Sequence, residues 1–186
     1  LRHTLGMRVR ISESGYAGEV ETAIQRGQIS STPVDAWLLG GELVAKIVTI
    51  GGGITSGDPG QGALGTFSPL SFRAAYFGYL AANGASNEIG VHAALNQALP
   101  RHVSVRAEVW EFWRQSLSDG VYGLTGALLR PAGPHDGRFM GTQAEALATW
   151  KPDRHITIGA TVSQFYASAL LRNTITYGAT WITFGF

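Results

Sequence analysis

Charged and amide side chains that could contact an ionic solute recur at alternate positions in several segments of this chain. The positions are Arg8, Arg10, Glu19, Glu21, Arg106, Glu108, Arg114, Gln143 and Glu145. The cations are almost all arginine, which supplies 12 of the 14 Lys and Arg residues. Arginine carries a permanent, forked positive charge that suits carboxylates. One interpretation is therefore a series of contacts for the carboxylate groups of a solute.

The same residues allow a second, structural interpretation. Arg8 or Arg10 could pair with Glu19 or Glu21 across neighbouring strands, because opposite charges on facing strands attract each other. Such pairs would brace a wall and need no solute. Both interpretations stay open, since rings of both signs also set the selectivity of pores.

The elements that position these side chains are predicted from a two-residue period. Apolar and polar residues alternate in nine segments, which is typical of β-strands with two different faces. The segments are 4–12, 19–25, 35–44, 46–55, 88–99, 102–116, 139–150, 156–163 and 174–186. Their apolar positions hold mainly Leu, Ile, Val, Met and Ala, and Glu111 stands against this pattern. Several strands are longer than the five or six residues typical of core sheets and match the nine to eleven of tilted membrane strands.

Composition excludes several classes of protein. The 186 residues, 25 of them glycine, fit one domain. The absence of cysteine excludes disulfides, and the net charge of +1 disfavours nucleic-acid binding. No apolar run approaches the roughly 18 residues of a membrane helix. A membrane-spanning chain of this kind would have to form a closed β-barrel, because lipid satisfies no backbone hydrogen bonds. We therefore predict an all-β, antiparallel, up-and-down transmembrane barrel.

The lengths of the connections give an independent indication of a barrel. The turns predicted at 13–15, Ala45, Pro100 and Arg101, and 151–153 are all short and fall at one end of the strands. Two long loops, near 56–87 and 117–137, fall at the other end, and the first includes a possible short helix at 71–82. Outer-membrane barrels have short periplasmic turns and long extracellular loops. Aromatic residues near strand ends predict interfacial girdles, namely Trp113, Trp150, Phe184 and Phe186.

Other chemistry has little support in the sequence. The five histidines lack the spacing of metal ligands, and no catalytic nucleophile or cofactor motif is present. Asp58 and Asp119 lie in glycine-containing loops, where turn formation explains an aspartate better than a bound cation does. We therefore expect no catalytic site, no metal and no cofactor.

Several short motifs, in order along nearly the whole chain, resemble the alginate export family of bacterial outer-membrane barrels. They are Thr4–Arg8, Ser56–Asp58, 65–70, 76–78, 112–116, 119–122, 141–143, Arg154 with His155, and 183–186. The resemblance implies a porin-like barrel that passes an anionic polysaccharide such as alginate through the outer membrane by passive diffusion. It also implies contact with outer-membrane lipid and with the barrel-assembly machinery, for which the terminal Phe186 would be the insertion signal.

Family barrels have about twice as many strands as are predicted here, so we expect the C-terminal part of a larger barrel. No signal peptide is visible, and we expect one upstream. The segments 4–12 and 174–186 should then form two free edges of an open sheet. Alternatives are a general porin for other solutes, a barrel enzyme, and a soluble β-barrel or sandwich whose apolar face points inward.

Overall fold

The computed structural model describes residues 1–70 and 84–185, which contain eleven β-strands and no helix. Their bounds are Arg2–Glu13 (β1), Tyr16–Ile29 (β2), Thr32–Ala45 (β3), Val48–Thr55 (β4), Glu88–Leu99 (β5), Val103–Arg114 (β6), Val121–Tyr122 (β7), Leu128–Arg130 (β8), Phe139–Trp150 (β9), Ile156–Ala167 (β10) and Ile175–Phe184 (β11). In the described part of the chain, no helix is long and apolar enough to cross a membrane.

Nine strands form one antiparallel sheet in the order β1-β2-β3-β4-β5-β6-β9-β10-β11. Each strand therefore pairs with its neighbours along the chain, apart from the small β7–β8 hairpin, which lies within the connection from β6 to β9. The nine predicted strands are confirmed, and 88–99 and 139–150 match β5 and β9 at both ends. The antiparallel, up-and-down arrangement follows from these short local connections.

Register places the two kinds of side chain on opposite faces of the sheet. Arg8 pairs with Glu21, Glu108 pairs with Glu145, and Trp110 pairs with Gln143, so these residues share the polar face. Val105 pairs with Ala148 on the other, apolar face. Directly paired residues point to the same side of a sheet. Arg106 and Val105 are adjacent in β6 and therefore lie on opposite faces, as the alternation within 102–116 predicts.

The exposure of the two faces is the reverse of that in a soluble sandwich. Large apolar side chains are solvent-exposed along the sheet, including Met7 at 63%, Leu43 at 47% and Val162 at 54%. On the polar face, by contrast, Gln25 and Gln143 are completely buried. A soluble protein buries its apolar face. Here the polar face carries the packed interior, and the apolar face is left uncovered.

Both long connections lie at one end of the sheet, as predicted, together with the two-residue turn at 30–31. Two-residue turns follow β1 and β3, and in the second of these Lys46 has a φ of 54°. A three-residue turn follows β5, and residues 151–155 follow β9. The connections 56–87 and 115–138 lie at the opposite end of the sheet. The short helix predicted at 71–82 lies outside the described residues, as does Phe186.

The two edges of the sheet match the prediction of an open structure. β1 pairs with β2 and β11 pairs with β10, and within residues 1–70 and 84–185 neither edge strand has a second partner. Unpaired edges present a row of unused backbone donors and acceptors.

The hydrophobic cluster lies on the polar face, close to the long loops. Trp110 and Phe112 of β6 pack with Phe165 of β10, with Val121 of β7 and with Leu170 beyond β10. Both β6 rings are 1% exposed. Val121 lies in the β6–β9 connection, so this connection covers the two rings on the polar face.

Candidate functional site

The first group of predicted site residues forms a charge ladder, Arg8, Arg10, Glu19 and Glu21, between β1 and β2. Arg8 Nε donates to Glu21 Oε2 at 2.8 Å, and Arg10 forms an ion pair with Glu19. The arginine side chains remain 39% and 61% exposed. The bracing pairs expected from the sequence are therefore present. Their exposure also leaves the guanidinium groups accessible from the polar face.

The second group forms a central cluster, Glu42, His92, Arg106 and Glu108, on β3, β5 and β6. Arg106 Nη2 donates to Glu108 Oε1 at 2.7 Å, and Arg106 Nη1 donates to Asn96 Oδ1 at 2.9 Å. The Nδ1 atom of His92 contacts the same Glu108 carboxylate, and its Nε2 lies 3.5 Å from Glu42 Oε2. The cluster thus joins three strands through alternating basic and acidic groups.

A glycine and a tryptophan hold the His92 ring in this cluster. Gly51 of β4 pairs with His92, and a Cβ atom added to Gly51 would lie 2.4 Å from His92 Nε2. Any other residue at position 51 would therefore displace the His92 ring. Trp110 stacks on the opposite side, with ring centroids 4.0 Å apart and planes inclined by 6°. The imidazole is therefore fixed in place by packing as well as by its contact with Glu108.

Glu145 completes the predicted polar row on β9. It pairs directly with Glu108, and two facing carboxylates repel each other unless donors compensate their charge. Glu145 Oε2 accepts hydrogen bonds from Ser163 Oγ at 2.8 Å and from Gln143 Nε2 at 3.2 Å. Glu108 is compensated by Arg106 and His92. The pair is thus accommodated by separate sets of donors.

Arg114 lies on the predicted face but serves a different structural purpose from the other arginines. Its side chain is completely buried and donates to the backbone carbonyls of Asp119, Asp136 and Gly137 at 2.7–3.1 Å. The guanidinium therefore fastens the β6–β9 connection to the end of β6. A contact between Arg114 and a solute would require this connection to move away.

The two long connections meet at a loop junction, which consists of Asp58, Thr66, Asn87, Ser116, Asp119 and Tyr122. Asp119 Oδ2 accepts from Asp58 N at 2.8 Å and from Thr66 Oγ1 at 2.6 Å. Its Oδ1 accepts from Gly120 N at 2.7 Å and from Tyr122 O–H at 2.6 Å. Asp119 is thus the acceptor that ties both connections together.

Asn87 forms the second half of the loop junction. Its side-chain nitrogen donates to the carbonyls of Ser116 and Gly120 at 3.0 and 2.9 Å, and its oxygen accepts from Ser116 N at 2.6 Å. Asn87 is 1% exposed, and such a buried amide is costly unless it is satisfied. The start of β5 is therefore locked to the end of β6.

The first long connection also crosses the polar face above β1 and β2. Gln25 is completely buried, donates to the carbonyl of Ser68 at 2.6 Å and accepts from Ser68 N at 3.0 Å. Arg2 donates to Gln25 at 3.0 Å and to the carbonyl of Thr66 at 3.3 Å. Both long connections thus cover the polar face at one end of the sheet and leave the charge ladder uncovered.

Two ionisable groups in the connections have shifted pKa values. Burial, together with the hydrogen bond to Asp119, raises the pKa of Tyr122 to about 12. Hydrogen bonds from Arg130 lower the pKa of Asp136, because the forked guanidinium stabilises its charged form. At neutral pH, Tyr122 is therefore a donor and Asp136 an anion.

Sequence reasoning found the face of each predicted site residue but missed how two groups are assembled. The two-residue alternation of side chains already placed His92 and Glu42 on the polar face. Only the lateral order of β3, β5 and β6 in the sheet brings these two residues to Glu108. The sequence identified the motifs 56–58 and 119–122 but did not indicate that they are in contact.

The loop aspartate Asp58 forms a turn, as the sequence predicts, since it accepts a hydrogen bond from Gly60 N at 2.7 Å. Within the described residues, no group of three or more His, Asp or Glu side chains is arranged to hold a metal.

The fold and this face define an all-β protein with a charged sheet surface. The chain matches the alginate export family over residues 1–179 and belongs to that family. This family comprises transport proteins, and membership supports an outer-membrane role in polysaccharide export. No curated protein matches the chain.

Proposed function

We propose that the nine-stranded sheet is part of the wall of a transmembrane barrel in the bacterial outer membrane, and that an anionic polysaccharide passes along its polar face by passive diffusion. The uncovered apolar face carries this proposal. Its large side chains, such as Leu5 at 72% and Ile182 at 58% exposure, extend from one edge strand to the other. In water that surface would be unfavourable, whereas in lipid it is the expected exterior of a barrel.

The free edges fit the same proposal. β1 and β11 each have one unused row of backbone groups among the described residues, and a lipid environment requires every such row to be paired. The remaining wall of the barrel would supply those partners. The soluble alternative would need a second layer over the apolar face, for which residues 1–70 and 84–185 contain no element.

Along the polar face, the proposed solute path runs beside the charge ladder and the central cluster and ends at the covered loop end. Arg8, Arg10 and Arg106 are the cations proposed to contact carboxylates of the solute, and each has a glutamate partner on the sheet. Exchange between glutamate and a passing uronate would give weak, repeated contacts. Weak, multiple sites favour conduction over retention.

The near balance of charges supports a second candidate, a general porin for small or anionic solutes. The polar positions of the nine strands carry arginines and glutamates in similar numbers. They are Arg2, Arg8, Arg10, Arg106 and Arg114, and Glu19, Glu21, Glu42, Glu88, Glu108 and Glu145. The two candidates differ in whether the arginines favour a polyuronate over a neutral polysaccharide of equal length.

Single-channel block in planar bilayers separates these possibilities in the native protein. We expect oligouronate to interrupt the current, and neutral dextran of equal length to do so less. Arg106→Gln should weaken the oligouronate block. Glu108→Gln should strengthen it, because the Arg106 guanidinium loses its internal partner.

The opposite signs of these two effects are the essential result. If Arg106 only braces the wall, both variants should lower stability and leave the block unchanged. Arg154→Gln, in the turn before β10, is the matched control and should alter neither quantity. An equal block by dextran and oligouronate would favour the general porin, and a failure to insert into bilayers would contradict the barrel itself.

The proposed site comprises Arg8, Arg10, Glu19, Glu21, Arg106, Glu108, Gln143 and Glu145, and Arg114 if the connections open. The role of the terminal Phe186 as the signal for the assembly machinery stays a prediction. Replacement of Phe186 by Ser should lower outer-membrane abundance without changing the block by inserted molecules.

A further inference from the structure

A second polar site lies at the loop end of the sheet, away from the charge ladder. β4 ends at Thr55, which pairs with Leu38 of β3. The first residues of β3, before Leu38, therefore extend beyond the end of β4. Beside this extension is a cavity of about 720 Å³, the rim notch, whose polar and aromatic lining includes Asp35, Trp37, Gln61, Gln115, Ser118 and Arg138. Trp37 lies two residues before the exposed Leu39 on β3, so both side chains point to the apolar face of the sheet. The side of the notch that Trp37 forms therefore belongs to the apolar face.

Arg138 supplies a positive charge that is only partly used by the protein. Its Nη1 donates to the carbonyls of Arg114, at 3.0 Å, and of Gln115. In residues 1–70 and 84–185, its Nε and Nη2 have no hydrogen-bond partner. One nitrogen thus fixes the guanidinium while two others stay available, and such a preorganised fork suits a phosphate.

The other polar groups of the notch also favour an acceptor-rich ligand. Gln115 Oε1 is occupied by Gly57 N at 2.9 Å, which leaves the amide nitrogen of Gln115 as a donor. The lining carboxylate, Asp35, is neutralised by an ion pair with Arg26. The notch therefore offers donors and a positive charge with little opposing negative charge.

The position of the notch indicates the source of the ligand. Trp113 and Phe139, which adjoins Arg138, form a ring pair with centroids 6.0 Å apart, and Trp37 is 37% exposed. Aromatic residues at strand ends mark the headgroup level of a bilayer. If the apolar face is in lipid, as the proposed function requires, then the notch lies in the outer headgroup layer.

We infer that the rim notch binds the phosphate of an anionic outer-leaflet lipid, with Arg138 as the principal ligand and Trp37 beside the headgroup. Such a lipid would lie against the extended end of β3 and against Ser116 of the loop junction. The inference rests on the membrane placement of the proposed function but not on any particular transported solute.

The test is lipid retention measured by native mass spectrometry. The native protein is released from vesicles of equal parts phosphatidylglycerol and phosphatidylcholine, and enrichment of phosphatidylglycerol is expected. Arg138→Gln should reduce this enrichment about tenfold, as expected for the loss of a charge-assisted hydrogen bond. Gln61→Glu places a negative charge in the notch and breaks no hydrogen bond among residues 1–70 and 84–185, and it should reduce the enrichment about fivefold.

Gln28→Glu adds the same charge at the same end of the sheet but outside the notch, and should leave enrichment unchanged. Equal enrichment in all variants, or equal losses in Gln61→Glu and Gln28→Glu, would overturn the inference. Retention of inorganic phosphate with no selective retention of lipid would assign the notch to free phosphate, and retention of oligouronate with no selective retention of lipid would assign it to the solute. Either result would reject a lipid site.

Failure of the proposed function has a different signature. A protein that never inserts into vesicles would contradict the barrel. Normal insertion and conductance without selective lipid retention would contradict the rim notch alone.

Discussion

Two polar networks on one face of this sheet differ mainly in how far they are covered. In the charge ladder, Arg8 and Glu21 meet across adjacent strands with side chains 39% and 24% exposed. In the loop junction, Asn87 and Asp119 are 1% and 6% exposed and bind backbone groups of distant segments. Exposed ion pairs contribute little to stability, whereas buried polar groups are costly to leave unpaired. The first network can therefore exchange partners with a solute, and the second holds the covering loops.

The largest effect should follow replacement of Arg114. Arg114→Met keeps much of the side-chain volume but leaves three carbonyls without their donor, so the free energy of unfolding should fall by about 3 kcal/mol or more. Denaturant unfolding in detergent micelles measures this loss. Arg172→Met, at an exposed arginine before β11, is the control and should change stability by less than about 0.5 kcal/mol. Similar losses in both variants would contradict the special role of the buried guanidinium.

A smaller loss is expected at the hub of the loop junction. Both carboxylate oxygens of Asp119 accept hydrogen bonds, and Asp119→Asn replaces one of them by an NH₂ group that faces other donors. This change should weaken docking of the connections by about 2 kcal/mol. Hydrogen exchange measured by mass spectrometry should become faster at 57–60 and 119–122 while β9 and β10 stay protected. Asp153→Asn, in an exposed turn, should leave these amides unchanged. Uniformly faster exchange would indicate global destabilisation instead.

The raised pKa of Tyr122 predicts a pH dependence confined to the loop junction. Folding favours the neutral phenol of Tyr122. Its contribution to the free energy of unfolding is therefore complete below the unfolded pKa of about 10 and is lost as the pH rises through about 12. The urea midpoint of the wild-type protein should therefore fall between pH 9 and pH 12 more steeply than that of Tyr122→Phe. Parallel curves for the two proteins would contradict this assignment.

The smallest effect should come from the charge ladder. A double-mutant cycle with Arg8→Gln and Glu21→Gln should give a coupling of about 0.5 kcal/mol, which added salt reduces further. The same variants should shift oligouronate block in opposite directions, as proposed for Arg106 and Glu108. A coupling above about 2 kcal/mol would make the ladder a structural brace comparable with the loop junction.

The local features of this fold could be read from the sequence. The two-residue period fixed which residues share a face, because a strand turns successive side chains to opposite sides. The turn between β1 and β2 is so short that their register follows, and with it the pairs Arg8–Glu21 and Arg10–Glu19. The nine strands and the sorting of their connections were predictable for the same reason.

Only the tertiary structure decided what happens where distant segments meet. Glu42, His92 and Glu108 come together through the lateral order of β3, β5 and β6, which parity alone does not give. Arg114 has the parity of a lumen residue, yet its partners lie in a connection without periodicity. Irregular backbone is positioned by individual hydrogen bonds from side chains such as Asn87 and Asp119. Alternation along a strand reports the two faces of a sheet, but it contains no information about which loop will fold back to cover one of them.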